Sequence, residues 1–159
     1  MAKGRKKRST KTRALPAGDV PAGLVYVESS ALVAALLESD QPALEVLKAP
    51  GPKVTSALTF AEASRAILRA RRTGRLKPQG ERAAVRALQR FERRCYIVTV
   101  NEAVLQRTRR PFPVEPVRTL DAVHLATAEV LGEPPSLMTM VTRDARVRAN
   151  AIALGYTVV

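Results

Sequence analysis

Four of the 14 acidic residues in this 159-residue chain sit where side-chain chemistry could be concentrated. Glu28 closes the apolar run Leu24-Val25-Tyr26-Val27, and Asp144 follows the run Met138–Val141. Glu62, in Thr59-Phe-Ala-Glu62, and Asp121, in Thr119-Leu-Asp121, fall near the starts of helical patterns. Four carboxylates converging on one crevice would repel, and at least one would stay protonated unless a cation were present. An all-oxygen donor set of this size selects Mg²⁺ or Mn²⁺ over zinc. Each acid also has a local reading. Thr59-x-x-Glu62 has the spacing of a capping box, Asp121 two positions after an N-cap Thr suits the helix dipole, and Asp144 can cap its own helix. Glu28 has no such local role, because a carboxylate ending an apolar strand contributes nothing to packing.

The elements that must position these acids are readable from periodicity. Apolar runs at 24–27, 53–56, 95–98, 138–141 and 156–159 predict five strands. Helical patterns lie between them: from Ser30, over 42–48, 59–72 and 78–94 (ending near Gly74 and Arg94), then over 101–109, 119–131 and 144–154. Nearly all-apolar strands alternating with helices predict a parallel sheet covered on both faces, an α/β three-layer sandwich. In such sheets ligands bind beyond the carboxyl ends of strands, where strand order reverses. If the first and fourth strands are neighbours, Glu28 and Asp144 face each other across that crevice.

Charge points to an anionic partner. Lys and Arg number 27, for a formal net charge of +13. Residues 1–23 hold seven of these cations against Asp19 alone, and Pro16, Gly18, Pro21 and Gly23 oppose helix. They are expected to form a disordered basic arm that adds phosphate affinity without sequence choice, followed by one domain over 24–159. The long apolar run Ala31–Leu37 is too short to cross a bilayer, and a basic start without an apolar stretch behind it is not a secretory signal. With a single cysteine, Cys95, expected to be an inert core thiol, the chain reads as a soluble, cytoplasmic protein.

The segments Val25-Tyr-Val-Glu-Ser-Ser-Ala-Leu-Val33, Ser56-Ala-Leu-Thr-Phe-Ala-Glu62, Arg118-Thr-Leu-Asp-Ala-Val-His-Leu-Ala126 and Val141-Thr-Arg-Asp-Ala-Arg146, in that order, resemble a PIN domain, with the VapC-type toxins as the nearest likeness. The resemblance spans 24–159. It implies a five-stranded parallel sheet and a Mg²⁺- or Mn²⁺-dependent ribonuclease, homodimeric and held inactive by a cognate antitoxin. It also implies that Glu28, Glu62, Asp121 and Asp144 are the catalytic and metal-binding acids. Ser29 or Ser30 occupies the hydroxyl position after the first acid, and Thr142 is the threonine of the last motif. The family places Asp where this chain has Glu28, one methylene longer. That change supports an alternative, a PIN-fold module that binds RNA or protein and cuts weakly or not at all.

In an active enzyme the chemistry would be hydrolysis of an RNA phosphodiester, with Glu62 or Asp144 orienting water and Arg118 and Arg143 positioning the phosphate. His124, one turn beyond Asp121, either serves as a general acid or packs beneath the sheet. With few aromatics, RNA contact should rest on shape and phosphates, Phe112 being the one candidate for base stacking. An antitoxin is expected in an apolar groove around Leu36, Leu44 and Leu68. A phosphoacceptor domain fits poorly, since the third strand ends in Val-Thr-Val with no Asp.

Overall fold

The computed structural model describes residues 23–159, so all but the last residue of the basic arm lies outside the described residues. Five strands form one sheet: β1 (Leu24–Val27), β2 (Lys53–Ser56), β3 (Tyr96–Val98), β4 (Met138–Val141) and β5 (Thr157–Val158). Their order is β3-β2-β1-β4-β5, and every pairing is parallel. The chain therefore winds outward from β1 through β2 to β3, then returns to the other side of β1. The reversal falls between β1 and β4, as the five-stranded α/β sandwich requires. Register there is set by Val27 opposite Val141, and the ladder runs one residue further, with Glu28 N–H donating to Val141 C=O at 3.0 Å.

The helices are α1 (Ser29–Val33), α2 (Gln41–Lys48), α3 (Ala57–Arg72), α4 (Pro78–Glu92), α5 (Glu102–Thr108), α6 (Thr119–Val130) and α7 (Ala145–Ala153). A wide π-helical turn, Ala34–Glu38, continues α1 and ends at Ser39 in the left-handed conformation. Strand alternation assigns the two layers. Leu24 and Tyr26 of β1 pack with Leu125, Ala126 and Val147 of α6 and α7. Val27 packs on the opposite face with Leu32, Ile67, Leu88 and Phe91 of α1, α3 and α4. In α6, Ala122 to Ala128 are all buried, which makes it a central helix enclosed on several sides. Among the described residues no helix is long and apolar enough to cross a membrane.

Three local expectations are corrected by packing. The helix bearing Glu62 begins at Ala57, capped by Ser56, and Thr59 is buried with its hydroxyl bonded to Thr55 at 2.7 Å. There is thus no Thr59–Glu62 capping box, and Glu62 is free to face the crevice. Helix α6 has Arg118, not Thr119, at its N-cap position, which makes Asp121 its third residue. Phe112 is no exposed stacking platform: it is buried, with the Arg107 guanidinium 4.0 Å above its ring.

Candidate metal centre at the strand switch

Glu28 ends β1 and is also the N-cap of α1, so its carboxylate meets the free N–H groups of a helix start. It is almost wholly buried, and its charge is met by four donor groups. Ser29 Oγ donates to Oε1 at 2.6 Å, Ser30 N–H is 3.0 Å from both oxygens, Thr142 Oγ1 donates to Oε2 at 2.9 Å, and Ser30 Oγ also donates to Oε2. Two of these hydroxyls pass the charge onward. Ser30 Oγ accepts from Arg143 N–H at 2.7 Å, and Thr142 Oγ1 accepts from Asp144 N–H at 3.1 Å. Glu28 therefore holds the loop after β4 in place through one serine and one threonine.

Asp144 caps α7, with Oδ1 accepting from Arg146 N–H at 2.8 Å and Val147 N–H at 3.0 Å. Across the crevice Asp121 has the opposite character. Its Oδ2 is buried without a hydrogen-bond partner among the described residues. Burial, then the charges of Asp144 and Glu28, hold its carboxyl above the usual range, against the opposing charges of Arg118 and Arg146.

Glu62 completes the set through a partner that its local sequence does not indicate. His124 Nε2 lies 2.7 Å from Glu62 Oε2 and 3.7 Å from Glu28 Oε1, while Nδ1 lies 3.1 Å from the Tyr26 hydroxyl. Burial opposes the Glu62 charge, but hydrogen bonds from His124 and Ser29 hold its carboxyl below the usual range. Burial, reinforced by Glu28, raises the Tyr26 phenol well above its ordinary value, so it stays protonated. A protonated phenol donating to Nδ1 leaves the Nε2 proton for Glu62, which orients that carboxylate. His124 is indeed buried, yet it belongs to the site. The signal available in the sequence was its position three residues after Asp121.

Of the two arginines expected near a phosphate, Arg118 is exposed at the start of α6 beside Asp121. Arg143 is engaged elsewhere: its Nε and an Nη donate to the two Asp40 oxygens, each at 2.8 Å. This fork holds the Asp40 carboxyl at about 2 and ties the start of α2 to the loop after β4. Cys95 is buried, with its thiol pushed up to about 12 by that burial, and it stands well apart in the α3–α4 layer.

These donors fit a hard divalent cation. Single ligand atoms of Glu28, Glu62 and His124 lie within 4.8 Å of one another. His124 Nε2 is already bonded to Glu62, however, so coordination through it would give up that bond. The unsatisfied Asp121 oxygen, facing two further carboxylates, is the stronger demand for positive charge, and it is a demand for an oxygen-binding ion.

Comparison with known proteins agrees with this geometry. The PIN-domain family model matches residues 25–153. The chain is 36% identical over 140 residues to Ribonuclease VapC35 of Mycobacterium tuberculosis, covering 86% of this chain and 96% of the relative. It is 37% identical over 137 residues to Ribonuclease VapC46 of the same organism, covering 85% and 95%. Among solved structures, Mycobacterium tuberculosis VapC20, a sarcin–ricin loop cleaving toxin, matches with a TM-score of 0.59 at 17% identity, over 84% of this chain and 96% of that one. VapBC2 from Rickettsia felis, bound to a promoter DNA fragment, matches at 0.58 and 12% identity, over 86% and 97%. At such identities these structures speak for the fold, while the family match and the curated relatives speak for descent. The chain belongs to the PIN-domain family, in its VapC branch.

Proposed function

We propose that this protein is a metal-dependent endoribonuclease, the toxin of a toxin–antitoxin pair, that hydrolyses RNA phosphodiesters at the crevice between β1 and β4. The observation that carries the reading is the buried Asp121 oxygen, without a partner among the described residues, facing Asp144 and Glu28 at the strand switch. Asp121, Asp144 and Glu28 would hold Mg²⁺ or Mn²⁺, with Glu62 binding directly or through water. When bound, the ion lowers the pKa of water and offsets charge developing on the phosphate.

The chain's own residues do the positioning. Glu28 fixes α1 against the loop after β4, so that Asp144 enters the crevice from a rigid cap. The Tyr26–His124 pair presents Glu62 as a charged acceptor that can orient an attacking water. Arg118, exposed beside Asp121, is a cation available to a phosphate at this mouth, as is the exposed Arg146. The VapBC and toxin–antitoxin complexes among its structural neighbours support an antitoxin partner, and cytoplasmic action as a homodimer is part of the same proposal. Leu68 lines a groove between α3 and α4 with Ile67, Val85 and Leu88, and Leu36 and Leu44 are half-buried, Leu36 against the same α1–α3–α4 cluster.

A second reading, a module that binds RNA but cuts weakly, is favoured by Glu28, whose oxygens already accept from four donor groups. The test is incubation of purified protein with structured and unstructured RNAs in Mg²⁺ or Mn²⁺, then with chelator. Chelator-sensitive cleavage that is lost in Asp121→Asn supports the nuclease. RNA binding without cleavage, unrepaired by Glu28→Asp, sinks it in favour of the module.

A further inference from the structure

A groove of about 450 Å³ leads away from the acids along α3. Its floor is one face of that helix: Glu62, Ala66, Arg69 and Thr73 are spaced so that they line up over three turns. The opposite wall is α1 and the π-helical turn that follows it, ending at Glu38. Three of the four charged groups lining it are already matched. Glu62 is bonded to His124, and Glu38 pairs with Arg75 at 3.8 Å across the far end. Arg69 is the exception, since its guanidinium has no side-chain partner among the described residues. Ala66 leaves space between Arg69 and Glu62.

From these features we infer that the groove is the track of one RNA strand beside the cut, and that Arg69 holds a backbone phosphate of that strand. The inference rests on the nuclease reading and extends it by assigning a binding subsite. Seven residues of helix separate Glu62 from Arg69, about 10 Å along the axis. At roughly 3.4 Å of rise per nucleotide in a stacked strand, that separates the bound phosphate from the scissile one by about three steps. The unmatched cation and the continuity of the groove with Glu62 together favour a polyanion that reaches the acids. A guanidinium there contacts phosphate without reading bases, so Arg69 sets affinity and register, not sequence choice.

The test uses the full chain and a fluorescent, mixed-sequence single-stranded RNA about a dozen nucleotides long. Binding is measured across a salt series in the cleavage-blocked Asp121→Asn background, and cleavage kinetics in the otherwise unchanged protein. Arg69→Ala should weaken binding about five- to tenfold and flatten the salt slope by about 0.7, while Arg69→Lys keeps most of the slope. In cleavage it should raise KM and leave kcat nearly unchanged. Arg93→Ala removes the same charge from the residue capping the C-terminus of α4, which does not line the groove, and should change neither. If RNA is bound and cut but Arg69→Ala behaves like Arg93→Ala, the subsite is overturned and the nuclease stands. If RNA is neither bound nor cut by the parent protein, both fall.

Discussion

The two sides of the crevice treat a buried carboxylate in opposite ways. On the β1 side, Glu28 receives hydrogen bonds from Ser29, Ser30 and Thr142, so the protein itself satisfies its charge. On the α6 side, Asp121 has an oxygen with no partner among the described residues and two acids facing it. The first arrangement stabilises the fold and fixes geometry. The second costs stability in the metal-free protein and is relieved by a bound cation or by a proton. A site that binds metal needs both: unsatisfied charge to attract the ion, and satisfied charge to hold the loops that surround it.

Substitutions break this contrast in order of size. Asp121→Asn should reduce metal-dependent cleavage by about 100-fold or more. Unlike most active-site changes it should also raise the melting temperature in chelator, because it removes repulsion, and abolish the rise that Mn²⁺ gives the parent. Calorimetry with and without metal checks both signs, and a lower melting temperature in chelator would show that Asp121 is satisfied after all. Glu28→Gln should act in the reverse sense. Its amide turns an N–H₂ toward groups that are themselves donors, and denaturant unfolding should register a loss of about 2–3 kcal/mol in the absence of any ion.

Thr142→Val keeps the shape and deletes the hydroxyl that links Asp144 N–H to Glu28. A cost of about 1–2 kcal/mol is expected, with about a tenfold fall in cleavage as Asp144 loses its anchor. Glu28→Gln and Thr142→Val share one network, so the double variant should lose less than the sum of the two. The smallest effect lies outside the crevice, at the Asp40–Arg143 fork. Asp40 titrates at about 2 in the folded chain against an ordinary 3.8. Its contribution is therefore complete above the ordinary value and disappears as pH falls from there toward about 2. Comparing acid unfolding of the parent with Asp40→Asn should show a shallower acid limb in the variant between those values, and no difference at neutral pH in that slope.

Much of this architecture was legible from local pattern. Short apolar runs separated by helical periodicity specify a parallel sheet, because strands buried on both faces have no polar side to display. An acid immediately after β1 and another after β4 then fall at the crevice as soon as those strands are neighbours. Where reading failed, the deciding contact was distant in sequence. Phe112, among three prolines in a loop, looks exposed until Arg107 and the core beneath it are in place. Arg143 looks like a phosphate ligand until Asp40, 103 residues away, claims its guanidinium.

The sequence alone determined the alternation of strands and helices, the places of the four acids along it and the excess of cations, since these depend on periodicity and residue type. Only the tertiary structure decided which acid is satisfied and which is not. It also decided that His124 joins Tyr26 to Glu62, and that Arg69 is left unmatched beside them. Those outcomes depend on which donors from remote segments arrive within hydrogen-bond distance of a buried charge, and no local pattern encodes that arrival.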